Sequence, residues 1–146
     1  MVTSMGWSGR GYSRGRGGMW GYQAPMPQIP PPPSGSIRIV APVDFSNGLN
    51  SPISMRTGRA PYIAVVDVSG GKIVNVNIVQ NAAAMAPRGA GVQLGQWILN
   101  IGASIVIAVS LGPNIDMVLR QVGVRVELVP PGTILGDALA KLGFVK

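Results

Sequence analysis

From Ile37 onward the apolar residues of this chain recur first at every second position and then at every third or fourth, and the two periods alternate toward the C-terminus. Period two belongs to strands and period 3.6 to helices, so this order restricts the chain to a sheet whose later strands are joined by helices. Ile37–Val43, Tyr62–Val68 and Lys72–Val79 read as three strands, the last two joined into a hairpin by Ser69-Gly70-Gly71. Leu94, Trp97, Ile98 and Ile101 fall at i, i+3, i+4 and i+7 and predict a helix. A buried strand over Ser104–Ser110 follows, then a helix carrying Ile115, Val118, Leu119 and Val122 after the Gly112-Pro113 breaker. Val124–Leu128 predicts a further strand, and Thr133 the N-cap of a last helix with Leu135, Ala138, Leu139 and Leu142 facing inward. The expectation is an α/β domain over residues 37–146 in the order βββαβαβα, a mixed five-stranded sheet covered by three helices.

Residues 1–36 have another texture. They hold 8 of the 21 glycines and 6 of the 13 prolines, with Arg10, Arg14 and Arg16, no acid and almost no aliphatic side chain. Such an extended Gly/Arg/Pro-rich tail buries too little apolar area to offset its ordering entropy, so it is expected to be disordered alone. The stretch from Pro25 to Gly35 reads as a polyproline-type spacer that holds the first part away from the domain. Arginine alternating with glycine and interleaved with aromatics suits RNA. Arg10, Arg14 and Arg16 would pair with phosphates, while Trp7, Tyr12, Trp20 and Tyr22 would stack on bases. The excess of 12 Lys+Arg over 5 Asp+Glu, a net charge of +7, points to an anionic partner as well.

The chain has no cysteine and no histidine. This removes disulfides, zinc ribbons, thiolate-held clusters, cysteine nucleophiles and Ser-His-Asp chemistry together. No metal site, no resident cofactor and no enzymatic activity are expected. The carboxylates Asp44, Asp67, Asp116, Glu127 and Asp137 read as a strand end, a hairpin turn, a helix start, a strand and a helix start. A two-metal nuclease needs acids that converge on one point instead.

Only 12% of residues are charged and 47% are hydrophobic, against roughly 25% charged in an average soluble domain. A chain this short cannot bury all of that apolar surface. Part of it is therefore expected to be covered by a partner or by a second copy in a homo-oligomer. The apolar run Ile105–Val109 stops at five residues, far below the ~18 a membrane span needs. The basic N-terminus lacks the apolar segment of a secretory signal, and the cytoplasm is the expected compartment.

Four short motifs occur in a telling order. Arg56-Thr57-Gly58-Arg59-Ala60-Pro61-Tyr62 follows the first strand, and Gly89-Ala90-Gly91 precedes the first helix. Ser110-Leu111-Gly112-Pro113-Asn114 follows the fourth strand, and Pro131-Gly132-Thr133 precedes the last helix. In this register they resemble the dinitrogenase iron-molybdenum cofactor biosynthesis family, and the likeness spans residues 37–146. The resemblance implies a ribonuclease-H-like fold and, for some members, carriage of iron–sulfur or iron–molybdenum cluster precursors. That family's first motif begins His-Phe, where this chain has Arg56 and Thr57. The resemblance therefore implies the fold with the family's His and Cys ligands absent.

Apart from the resemblance, Arg88-Gly89-Ala90-Gly91 and Gly112-Pro113-Asn114 lead directly into helices. Free N–H groups and positive potential at helix N-termini favour anions, and open sheets form crevices at strand carboxyl ends. Arg56, Arg59, Arg88, Gly89, Gly91, Gly112 and Asn114 are accordingly the candidate anion-binding residues. The expected function is a non-catalytic RNA-binding accessory protein on a ribonucleoprotein such as the ribosome, with RNA and neighbouring proteins as partners. The alternative is a carrier of an iron–sulfur or iron–molybdenum cluster or precursor. It would hold an anionic cluster through Arg56, Arg88 and backbone N–H groups, without protein–metal bonds.

Overall fold

The computed structural model describes residues 26–146. Strand β1 (Ile37–Val43) lies at the centre of a sheet with β2 (Tyr62–Ser69), β3 (Lys72–Gln80), β4 (Ile105–Ala108) and β5 (Arg125–Leu128). The order across the sheet is β3-β2-β1-β4-β5, with β1–β2 and β2–β3 antiparallel and β1–β4 and β4–β5 parallel. The mixed five-stranded sheet is thus as the alternating periods predict. Its parallel half needs crossovers, and helices supply them: α1 (Ala90–Asn100) precedes β4, and α2 (Pro113–Gln121) joins β4 to β5. A third helix, α3 (Leu135–Lys141), completes the order βββαβαβα.

Alternation in the strands separates two cores. Val40, Ile63 and Val65 pack with Leu94, Trp97 and Ile98 of α1 and with Ile115 and Leu119 of α2. Ile39, Ala41, Val43, Ala64 and Val66 face the other way, onto Leu135, Ala138 and Leu139 of α3. Strand β4 is flanked by two strands and covered on both faces, which is why all four of its residues are buried and apolar. Side chains as fully buried as Leu94 and Leu119 each contribute about 1.5–3 kcal/mol of transfer free energy. Between α1 and α2 the backbones come close at Gly95, where a Cβ would stand 3.2 Å from Val118 Cγ1.

The structure departs from the sequence reading in four places. Strand β4 is shorter than Ser104–Ser110, because beyond Ala108 the chain turns toward α2. Ile134, not Thr133, is the N-cap residue of α3; the Thr133 hydroxyl donates instead to the Pro130 carbonyl at 2.7 Å. Asp67 is not in the hairpin turn, which Gly70 and Gly71 make with φ of 60° and 80°. It sits inside β2, fully buried against Arg38 of β1.

The fourth departure is the proline-rich stretch, which does not stand off the domain over residues 26–33. It runs along α1, from the start of the helix to its end. The Ala83 amide donates to Met26 Sδ at 3.2 Å, the Trp97 indole N–H to the Pro27 carbonyl at 2.8 Å, and Arg38 Nη1 to the Pro30 carbonyl at 2.7 Å. Pro32 then rests against Gly102. A buried indole and a buried guanidinium need carbonyl partners, and a proline-rich segment offers carbonyls that no regular ladder occupies.

Candidate functional site

The long connection between β1 and β2, residues 44–61, forms one end of the sheet. It folds back on the strand it left: the Ser54 amide donates to the Pro42 carbonyl at 2.8 Å, and Val43 bridges Ile53. Short polar side chains then shape its second half. Ser54 Oγ accepts from the Arg56 amide at 3.1 Å, and the Thr57 hydroxyl donates to the Ser110 carbonyl. Asn81, just past β3, donates through Nδ2 to the Gly58 and Ala60 carbonyls at 3.2 and 2.9 Å.

These bonds carry Arg56-Thr57-Gly58 across the N-terminal ends of two helices. Gly58 lies against the start of α1, where a Cβ on it would stand 3.4 Å from the Gly91 nitrogen and Cα. Thr57 is tied to Ser110, two residues before the α2 N-cap Gly112. Thr57 is 4% exposed, whereas Arg56 points outward and is exposed. Arg56 lines a cleft of about 550 Å³ with Asp44, Phe45, Ser54, Met55 and Pro61.

The two helix starts differ electrostatically. Helix α1 begins at Gly89, with φ of 77°. Among the described residues, no side-chain cap and no first-turn acid offsets its N-terminal N–H groups and positive end. Helix α2 begins at Gly112 without a side-chain cap, but Asp116 lies in its first turn, paired with Arg120 at 2.7 Å. The more positive end is that of α1, and exposed Arg88 immediately precedes its N-cap.

Of the candidate anion-binding residues, Gly91 lies against Gly58 in the loop that carries Arg56, whereas Gly89, just after exposed Arg88, opens onto a separate cleft with Met26, Gln93 and Trp97. Gly112 and Asn114 are exposed at the start of α2, the next helix along the same end. Arg59 is engaged differently. Its Nη1 donates to the Ala84 and Ala86 carbonyls at 2.8 and 2.6 Å, clamping the segment that leads into α1. Sequence reasoning missed Thr57, Asn81 and Ser110 as positioning residues. The one available signal was that each is a small polar residue directly adjoining a Gly-rich motif or a strand end.

The carboxylates do not converge. Asp67 is paired with Arg38, Asp116 with Arg120 and Glu127 with Arg125, Asp137 lies in the first turn of α3, and Asp44 lines the cleft that Arg56 shares. Among the described residues, no group of three His, Cys, Asp or Glu could hold a metal ion. The tail residues Trp7, Arg10, Tyr12, Arg14, Arg16, Trp20 and Tyr22 lie outside the described residues. Among the described residues no helix is long and apolar enough to cross a membrane.

Comparison with known proteins bears on what this end of the sheet serves. The profile of the dinitrogenase iron-molybdenum cofactor family matches residues 38–143. An uncharacterised protein of Methanocaldococcus jannaschii is 29% identical over 90 residues, which is 62% of this chain and 72% of that protein. A NifB-like protein from Thermotoga, of the DUF35 family, superposes with a TM-score of 0.59 at 28% identity, over 73% of this chain and 86% of its own. The apo orange protein of Desulfovibrio gigas superposes with a TM-score of 0.63 at 24% identity, over 72% of this chain and 85% of its own. That last likeness is one of fold.

These findings correct the RNA-binding, ribosome-associated reading. The family match covers the folded domain and concerns a metal cofactor, whereas the RNA reading rested on the composition of residues 7–22 and on the chain's excess of basic over acidic residues. Positive charge selects for an anion without saying which anion. The cluster-related alternative fits the matches better.

Proposed function

This chain belongs to the dinitrogenase iron-molybdenum cofactor family, and on that premise we propose that it carries an anionic iron–sulfur or iron–molybdenum cluster, or a precursor of one, as cargo. The cargo sits where Arg56-Thr57-Gly58 crosses the starts of α1 and α2. With no cysteine or histidine in the chain, protein–metal bonds of the usual thiolate or imidazole kind are unavailable to it. What the site offers is outer-sphere: backbone N–H groups at the start of α1, and the guanidinium groups of Arg56 and Arg88. Such donors suit the sulfide and oxo surface of an anionic cluster, whose charge they would balance. The observation that carries the reading is the docking of the Arg56 loop onto a helix start that has no acid of its own. A carrier of this kind holds and releases its cargo without chemistry at the metal, and a chain free of cysteine is at home in the cytoplasm.

The test is anaerobic incubation of the full chain with tetrathiomolybdate and, separately, with an iron–sulfur cluster donor, followed by gel filtration and metal analysis. Metal should elute with the protein, weaken as salt is raised, and fall with Arg56→Ala. Protein that elutes free of both metals would overturn the reading.

A further inference from the structure

Strand β3 ends the sheet, and among the described residues it pairs with β2 alone. It is nine residues long, Lys72-Ile-Val-Asn-Val-Asn-Ile-Val-Gln80. Exposed edges of that length are ordinarily protected by charge, proline or brevity, since their free N–H and C=O groups are templates for another strand. Here Ile73–Gln80 contains no charged residue and no proline. One irregularity is present, where Val74 is the extra residue between the Val68–Ile73 and Asp67–Asn75 pairs. Val74 and Val76 are 48% and 36% exposed, among the large apolar side chains the domain leaves uncovered.

The sequence of this edge is symmetric in residue class about Val76. Asn75 and Asn77 flank it, then Val74 and Ile78, then Ile73 and Val79, and finally Lys72 and Gln80. An antiparallel contact between two copies of one strand sets residue i against j and j against i about a two-fold axis. With the axis at Val76, Asn75 meets the partner's Asn77 and Val74 meets the partner's Ile78, and the regular pairing ends at the extra residue Val74. Amide opposes amide, branched aliphatic opposes branched aliphatic, and no two like charges face each other. A slip of one residue would set valine against asparagine and turn one strand's side chains to the wrong face.

The faces agree at the centre of the seam, from Asn75 to Asn77; past the irregularity at Val74, Ile73 lies on the α3 side whereas Val79 lies on the α1 side. Val76 pairs with Val66, whose side chain packs under α3, so the valine at the axis extends that core outward. Asn77 pairs with Val65 on the α1 side, where the amides of Asn75 and of the partner's Asn77 would bond across the seam. We propose that β3 is the interface of a homodimer, in which two five-stranded sheets join edge to edge about Val76. The proposal stands whether or not the cargo reading holds.

Sedimentation velocity of the full chain, from about 1 to 200 μM to bracket a modest interface, should show a reversible monomer–dimer equilibrium. Asn75→Lys with Asn77→Lys in one chain sets lysine against lysine at two symmetric positions and should raise the dimer Kd by about tenfold or more. Asn75→Lys with Asn77→Asp sets lysine against aspartate twice and should leave the dimer intact. Melting curves followed by circular dichroism check that both exposed-edge variants remain folded. A chain that stays monomeric at every concentration, with its edge covered from within, would overturn the proposal. So would a dimer indifferent to the double-lysine variant.

Discussion

Arg38 lies opposite Asp67 in the β1–β2 ladder, and its Nε and Nη2 donate to both carboxylate oxygens at 2.8 and 2.9 Å. Neither side chain is more than 2% exposed. The remaining nitrogen, Nη1, donates to the Ile101 carbonyl at the end of α1 and to the Pro30 carbonyl of the N-terminal segment, at 2.8 and 2.7 Å. One guanidinium thus joins two strands, a helix end and the segment that crosses it. A buried charge is tolerated when its partner and its hydrogen bonds are all in place, as they are here.

Removing one half of this pair should cost far more than removing both. Asp67→Ala strands a buried guanidinium and is expected to destabilise the domain by about 3–5 kcal/mol. Arg38→Met with Asp67→Leu should lose less than that single change, even though two carbonyls give up a donor. Urea denaturation of the two variants decides it, and equal losses would mean the pair's charge is not what matters.

Trp97 reports whether residues 26–33 stay docked. The chain has three tryptophans, Trp7, Trp20 and Trp97, so truncation after residue 25 or after residue 33 leaves Trp97 alone. Loss of residues 26–33 removes the acceptor of its indole N–H and the Met26 and Ile29 side chains packed beside it. The shorter chain should show red-shifted Trp97 emission, and it should be less stable by at least the ~1 kcal/mol of one hydrogen bond.

Two arginines three residues apart should behave in opposite ways. Arg59→Ala removes two bonds to the Ala84 and Ala86 carbonyls and should cost about 1 kcal/mol of stability. Arg56→Ala touches no such partner and should leave stability within about 0.5 kcal/mol, while tetrathiomolybdate retention falls. Thermal melts and metal analysis on the same two samples separate the roles.

Gly95 sets the spacing of α1 and α2. A Cβ there would already stand 3.2 Å from Val118 Cγ1, so even a methyl group requires Val118 to yield and a larger side chain more so. Gly95→Val should therefore cost about 1–3 kcal/mol by overpacking, despite the helix propensity gained by replacing glycine. Chemical denaturation that found Gly95→Val neutral would show that α2 can move aside.

Much of this protein was decided by its sequence alone. The order of strands and helices, and the face each presents, follow from periodicities that are local properties of the chain. The absence of thiolate and imidazole is equally final, since no folding can create a donor the sequence lacks. Tertiary structure decided which distant groups meet. Arg38 and Asp67 are 29 residues apart, and Thr57 and Ser110 are 53; nothing in either local sequence specifies the partner. The proline-rich segment shows why. By composition it has too little apolar surface to fold, yet buried donors on Trp97 and Arg38 supply the partners that hold it down. A hydrogen-bonding need arises only once the sheet and α1 have formed, so it exists in the folded molecule and not in the string of residues.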